Sequence, residues 1–254
     1  MAGRRVLVVG AGQQDHGIED PPIGNGRAIA VQLAREGAAV AVADRDRQSA
    51  EETARQVTDA GGGAAVTVGD AAEEDDVARF FSEAADAIGG LDALVMNVGV
   101  AAGFTVRATT VEEWDRVLAV NLRSHFLGCR QALASFGAGG SIVLVGSLAA
   151  RESMPLPAYS ASKAALEALC RNAAVEGAPE IRVNTLHPGL IDTSLGRRAS
   201  AMNPGRAKVH IPAGRQGSAW EVARCAAFLL SDEASYVTGQ ALVADGGLNV
   251  AFRT

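Results

Sequence analysis

The sequence predicts a doubly wound α/β fold: one parallel sheet of seven strands with helices on both faces. Three observations carry that expectation. Seven short apolar runs recur along the 254 residues, most of them continuously apolar, as strands buried on both faces must be. The intervals between them are long enough for helices and are punctuated by turn residues such as Gly61-Gly62-Gly63 and Gly89-Gly90. No fixed-period repeat, linker or low-complexity block breaks the alternation, so residues 1–254 read as one domain.

In chain order, strands are expected at 6–9 (VLVV), 39–43 (AVAVA), 64–68 (AAVTV), 93–96 (ALVM), 141–145 (SIVLV), 181–186 (IRVNTL) and 241–244 (ALVA). Helices are expected over about 26–36, 47–60, 74–88, 111–136, 157–177 and 218–230. The long irregular stretch is 188–217. Ligands of such folds bind beyond the carboxyl ends of the strands, so an excursion after the sixth strand, about 190–217, suits a substrate lid.

Composition narrows the function. A net charge of -6 excludes general affinity for nucleic acid, which needs a large basic face. Cys129, Cys170 and Cys225 form no CxxC or Cys/His cluster, so neither a disulfide framework nor a metal site is expected. Reduced, buried thiols in a cytoplasmic protein are the simpler expectation. The start, MAGRRVLVVG, has too few apolar residues for a signal sequence or a membrane span.

The first strand runs into GAGQQDHGIEDPPIGNG, residues 10–26. A strand, glycine loop and helix in series present backbone N–H groups and the positive helix end to a pyrophosphate. Gly10, Gly12, Gly24 and Gly26 are the candidate glycines, although spread wider than such loops usually are. Asp44 ends the second strand eighteen residues after Gly26, where a carboxylate can accept from both hydroxyls of an adenosine ribose. Its charge would repel a 2'-phosphate, which favours NAD; Arg45 and Arg47 beside it leave NADP open.

In the other half, YSASK puts Tyr159 and Lys163 at i and i+4, on one helix face. Tyrosine, with a free pKa of about 10, is a poor base at neutral pH, and a nearby cation lowers that value. Ser147 follows the buried strand SIVLVG at the end where ligands bind, so its hydroxyl can hold the same substrate oxygen.

With these motifs in order, the whole chain resembles a short-chain dehydrogenase/reductase with a Rossmann-like fold. The resemblance implies that Tyr159 is the general acid/base, that Lys163 lowers its pKa and binds the nicotinamide ribose, and that Ser147 orients the substrate carbonyl or hydroxyl. Asn121 in VLAVNLRSHF matches the asparagine that holds a water in the proton relay. Asp70 and Ala71 in VGDA match the adenine contact, and Asn97-Val98-Gly99 the end of an Asn-Asn-Ala-Gly turn. Pro188, Gly189, Ile191 and Thr193 in HPGLIDT match the segment beside the nicotinamide, and YVTGQALVADGG the closing strand. With Asn25 they complete the implied cofactor site. Family members are commonly tetramers packed through the helices expected at 111–136 and 157–177.

Departures are Met96 for the first asparagine of the turn, Val9 for threonine and Asn25 for isoleucine. The glycine loop is also longer by about ten residues, an insertion at 13–23 that Pro21-Pro22 stiffens. Its polar part can cover the cofactor or lie solvated on the surface.

The expected reaction interconverts a secondary alcohol and a ketone by hydride transfer. A non-catalytic dinucleotide sensor and an enoyl reductase are the alternatives; relatives of the latter kind generally space tyrosine and lysine by seven residues, against four here. Residues 194–220 carry Arg197, Arg198, Arg206, Lys208 and Arg215 without one acidic residue. That suits an anionic substrate, or equally a solvated face or cofactor phosphates.

Overall fold

The computed structural model describes residues 1–203, 205–206 and 209–251. Its elements in order are β1 (Arg5–Val9), α1 (Asn25–Arg35), β2 (Ala39–Asp44), α2 (Arg47–Asp59), β3 (Ala64–Val68), α3 (Glu74–Ile88) and β4 (Ala93–Met96). There follow α4 (Val111–Leu118), α5 (Ser124–Ser135), β5 (Gly140–Val145), α6 (Pro157–Gly177), β6 (Ile181–Pro188), β7 (Ile191–Asp192), α7 (Ser194–Met202), β8 (Gly217–Ser218), α8 (Ala219–Leu230) and β9 (Ala241–Ala244).

Seven strands form one sheet in the order β3-β2-β1-β4-β5-β6-β9, every pair parallel. Alternation along each strand sends side chains to two separate cores. Val6 and Val8 of β1 pack with Ile29 and Leu33 of α1 and Val222 and Leu229 of α8 on one face. Leu7 and Val9 pack with Phe80 of α3, Leu127 of α5 and Cys170 of α6 on the other. Both faces are therefore covered, which is why the strands carry apolar runs instead of alternating polar residues. The order in which the chain adds strands reverses between β1 and β4, so the crevice at their carboxyl ends is the place for a ligand.

Two stretches differ from expectation. The helix expected over 111–136 is two helices joined by a π-helical turn, Ala119–Arg123. Such a turn holds one residue more than its α counterpart, rotates the following side chains, and often marks a functional position; here it carries Asn121. The stretch 188–217 is not wholly irregular: β7 and β8 pair as a short parallel ladder, and α7 stands between them. Thr193 caps α7, its hydroxyl accepting from Gly196 N at 3.1 Å.

The three cysteines are free. Cys129 and Cys170 are buried, their thiols pushed up to about 12 mainly by loss of solvation; Cys225 is only half-buried. No helix among the described residues is long and apolar enough to cross a membrane.

Candidate active site

The glycine loop is built on close backbone contact. Gly10 has φ +78°, a conformation that favours glycine, and its N–H donates to Ala43 O at 2.9 Å, tying β1 to β2. Gly26 opens α1 directly against it: a Cβ there would stand 2.0 Å from Gly10 O. Asn97, just after β4, donates from Nδ2 to the same carbonyl at 2.8 Å, so three segments meet at one oxygen. Gly12 N donates to Asp44 Oδ2 at 2.8 Å, which lays the loop across the end of β2.

Between Gly12 and Gly24 the insertion leaves and returns through a narrow neck. Gly24 N donates to Gln13 Oε1 at 2.9 Å, while Gln13 O accepts from Ser49 Oγ at 2.9 Å. Beyond the neck, His16 and Asp20 adopt positive φ. Ser194 of α7 donates from Oγ to Pro22 O at 3.3 Å, and Arg198 lies 3.4 Å from His16 Nδ1. The insertion thus touches the 190–217 segment.

A cleft of about 270 Å³ runs along the carboxyl ends of the strands. Gly10, Gly12, Gly24, Asn25, Gly26 and Asp44 line it from β1, α1 and β2, with Gln13, Gln14 and His16 of the insertion. Asp70, Ala71, Asn97 and Gly99 line it from the turns after β3 and β4, and Tyr159, Lys163 and Thr193 from the α6 and α7 side. Asp15, Glu19 and Asp20 do not line it. Pro188, Gly189 and Ile191 lie next to it without lining it: Gly189 N donates to Ala244 O at 3.0 Å, and Ile191 is buried in β7.

The residues fit a dinucleotide on a point independent of any motif. Asn25 Oδ1, at the mouth of α1, is buried and has no hydrogen-bond partner. The two ends of an amide exchange by rotation, so a free polar group stands where α1 presents its N–H groups.

On the α6 side, Pro157 starts the helix at a position where its missing N–H costs nothing, and Tyr159 and Lys163 follow on one face. Lys163 is buried and donates from Nζ to Val145 O at 2.8 Å. Loss of solvation brings its pKa down to about 7. Nζ stands 5.9 Å from the centre of the Tyr159 ring. The Tyr159 hydroxyl is pushed above its ordinary pKa by desolvation, and pulled back by a hydrogen bond with Ser147 and by the charge of Arg206. Ser147 and Tyr159 therefore stand close enough to act on each other.

Asn121 makes three hydrogen bonds. Its Oδ1 accepts from Val100 N at 2.8 Å and its Nδ2 donates to Val100 O at 2.9 Å and Ser162 Oγ at 3.1 Å. It clamps the strand-end turn at Gly99-Val100 to α6, and its place on the π turn aims it there.

Two residues near the site carried no signal for these positions. His187 is buried beside Ser147, its Nδ1 2.9 Å from Ser147 O, and its Nε2 lies 3.1 Å from Thr185 Oγ1. Burial holds its pKa low, and Nδ1 also lies 3.2 Å from Ser147 N, so the tautomer decides whether it donates to the carbonyl or accepts from the amide of Ser147. Gly146 permits this approach, since a Cβ there would meet the imidazole at 2.5 Å. Arg206 appeared in the sequence only as one of several lid cations; nothing in its spacing ties it to Tyr159.

The chain matches, over residues 23–249, the family model described as "Enoyl-(Acyl carrier protein) reductase". It is similar to 3beta-hydroxysteroid dehydrogenase 1 of Eggerthella lenta, 35% identical over 98% of this chain and 95% of that one. A solved dehydrogenase/reductase from Sinorhizobium meliloti 1021 superposes with a TM-score of 0.89 at 33% identity, covering 98% of this chain and 96% of the other. The chain belongs to the short-chain dehydrogenase/reductase family. Another relative of this dehydrogenase/reductase is the glucose 1-dehydrogenase of Gluconobacter oxydans, 35% identical over 98% of this chain and 93% of the relative. Membership makes this short-chain dehydrogenase/reductase an NAD(P)-dependent oxidoreductase acting on CH–OH and C=O groups.

Proposed function

We propose that the enzyme interconverts a secondary alcohol and a ketone with Tyr159 as general acid/base, and that NAD is its preferred cofactor. The observation that carries this reading is that Tyr159 and Lys163 line the same cleft as the glycine loop and Asp44, with the Ser147 hydroxyl acting on Tyr159 from beside it. When bound, the nicotinamide supplies or accepts the hydride. Gly10, Gly12, Gly24, Asn25 and Gly26 would hold its pyrophosphate side, Asp44 the adenosine ribose, Asp70 and Ala71 the adenine. Asn97, Gly99 and Lys163 would hold the nicotinamide ribose, and Pro188, Gly189, Ile191 and Thr193 the nicotinamide side.

In ketone reduction the Tyr159 hydroxyl gives its proton to the substrate oxygen; in alcohol oxidation the phenolate takes it. Ser147 shares that oxygen, and Asn121 maintains the turn against which Lys163 packs. Asp44 favours NAD because its carboxylate, already turned to Gly12 N and Asp46 N at 2.8 and 3.1 Å, would meet a 2'-phosphate with like charge. The enoyl reductase reading has the wording of the family model in its favour, but the four-residue spacing of Tyr159 and Lys163 supports carbonyl chemistry.

Residues 190–217 serve as the substrate lid and 13–23 as a partial cover over the cofactor, in one cytoplasmic catalytic domain. A homotetramer packed through α4, α5 and α6 would cover Phe126 and Val175, which are exposed in the single chain; light scattering reads that state. Tyr159→Phe tests the assignment: turnover is lost while NAD binding, followed by fluorescence titration, survives. Near wild-type rates in that variant would falsify it. A coupled screen of alcohols and ketones with NAD and NADP reads cofactor preference at the same time.

A further inference from the structure

The structure sorts the cations of the lid. Arg197 is closed on Asp192 by two bonds, Nε to Oδ1 at 2.8 Å and Nη2 to Oδ2 at 3.0 Å. Arg215 is closed on Glu221 in the same bidentate manner, at 3.0 and 2.7 Å. Arg198 turns to His16 of the insertion, and Lys208 lies outside the described residues. Arg206 differs from Arg197 and Arg215 in that no carboxylate among the described residues pairs with it, and from the exposed Arg198 in that it is half-buried.

Its position is held from one side only. Nη1 donates to Gly196 O at 2.9 Å and Ser200 Oγ at 2.8 Å, both on α7. Those bonds leave Nε and Nη2 without an acceptor among the described residues. These two donors form the side-on fork of a guanidinium, the same pair that Arg197 gives to Asp192, and it matches the two oxygens of a carboxylate. The helix that holds Arg206 begins at Ser194 and Leu195, which line the cleft with Tyr159. Arg206 is also near enough to Tyr159 for each to act electrostatically on the other. A partly desolvated cation without a counter-ion is unfavourable by itself, and a bound anion completes it.

We propose that Arg206 binds the carboxylate of the substrate, and that this enzyme therefore acts on small oxo acids and hydroxy acids. The proposal rests on the carbonyl chemistry assigned above to Tyr159. It narrows the anionic substrate expected from five lid cations to one guanidinium and one ligand class. Helix α7 fixes the guanidinium through Nη1 and leaves the Nε and Nη2 donors for the carboxylate.

The test compares acetoacetate, 4-oxopentanoate and 5-oxohexanoate with their methyl esters, which keep the reacting ketone and remove the charge. With NADH, at least one acid is expected to exceed its ester in kcat/KM by tenfold or more. Arg206→Gln is expected to reduce that ratio at least tenfold, with the change in KM of the acid. Arg206→Lys, which keeps the charge but not the fork, is expected to give an intermediate ratio and serves if the glutamine variant does not fold. A wild-type enzyme that prefers the esters throughout overturns the proposal. So does an Arg206→Gln ratio that falls less than tenfold, an Arg206→Lys ratio equal to that of the wild type, or a loss that appears in the KM of NADH instead. Turnover of neutral ketones alone would overturn the carboxylate assignment and leave the carbonyl assignment standing; no turnover of any carbonyl compound would remove both.

Discussion

Gly26→Ala is the sharpest probe of how the cofactor end is built. The new methyl carbon would stand 2.0 Å from Gly10 O and 2.6 Å from Asn97 Nδ2, and the first of these neighbours is backbone at the end of a buried strand. Ordinary carbon–oxygen contact needs more than an ångström beyond that, so either α1 withdraws from β1 or the Gly10 turn shifts. Forced overpacking of this kind costs about 1–3 kcal/mol. Displacing the Asn97 amide from Gly10 O removes a hydrogen bond worth about 1 kcal/mol more. For a chain of this length, a loss of about 2–4 kcal/mol lowers Tm by roughly 5–15 °C.

The same shift moves the first N–H groups of α1 away from a bound pyrophosphate. Losing one charge-assisted bond of about 1.5 kcal/mol weakens NAD about tenfold. Thermal melts followed by circular dichroism and fluorescence titration of NAD read the two effects. Gly24→Ala is the control for stability: its φ is -79°, and the nearest atom to a new Cβ is the flexible end of Gln13 at 3.9 Å. Its melt is expected close to wild type. If Gly26→Ala melted within 2 °C of wild type and bound NAD unchanged, the close approach of helix and strand would not be what forms this site.

Two other expectations concern protons and the insertion. Because desolvation raises the Tyr159 pKa, alcohol oxidation, which needs the phenolate, is expected to accelerate as pH rises toward that value, and ketone reduction, which needs the phenol, to slow. Arg206→Gln removes a charge that lowers the same pKa, so both limbs should move to higher pH; parallel trends in the two directions would refute the role of Tyr159. Deleting residues 14–22 while keeping Gln13 removes Gln14 and His16 from the cleft wall, and NAD affinity is expected to fall; an unchanged Kd would show that the insertion covers nothing.

The sheet was legible because each strand is a continuous apolar run whose ends coincide with turn residues; β3 and β4 begin and end where the sequence places them. Tyr159 and Lys163 were legible because helical spacing alone puts them together. Helix α7 was not: SLGRRASAM contains a glycine, and only Ser194 and Gly196 within it are buried, so no apolar periodicity announces it. The π turn at Asn121 depends on a one-residue excess that composition does not encode. The approach of Arg206 to Tyr159 and of His187 to Ser147 joins residues 47 and 40 positions apart, and contacts of that kind leave no local pattern. The insertion was visible as extra length, and its contacts with α7 were not.

The neck of that insertion has a consequence for how the chain can change. Gln13 closes it with its own side chain on Gly24 N, and anchors its base on Ser49, so the strand and helix on either side are already positioned without the residues beyond. A segment hung on such a clasp is exchangeable: length and composition between Gln14 and Ile23 can drift, or be grafted from elsewhere, with little demand on the sheet. Evolution is then free to rewrite the rim of the nucleotide groove separately from its floor, and an engineer can do the same by varying those residues alone.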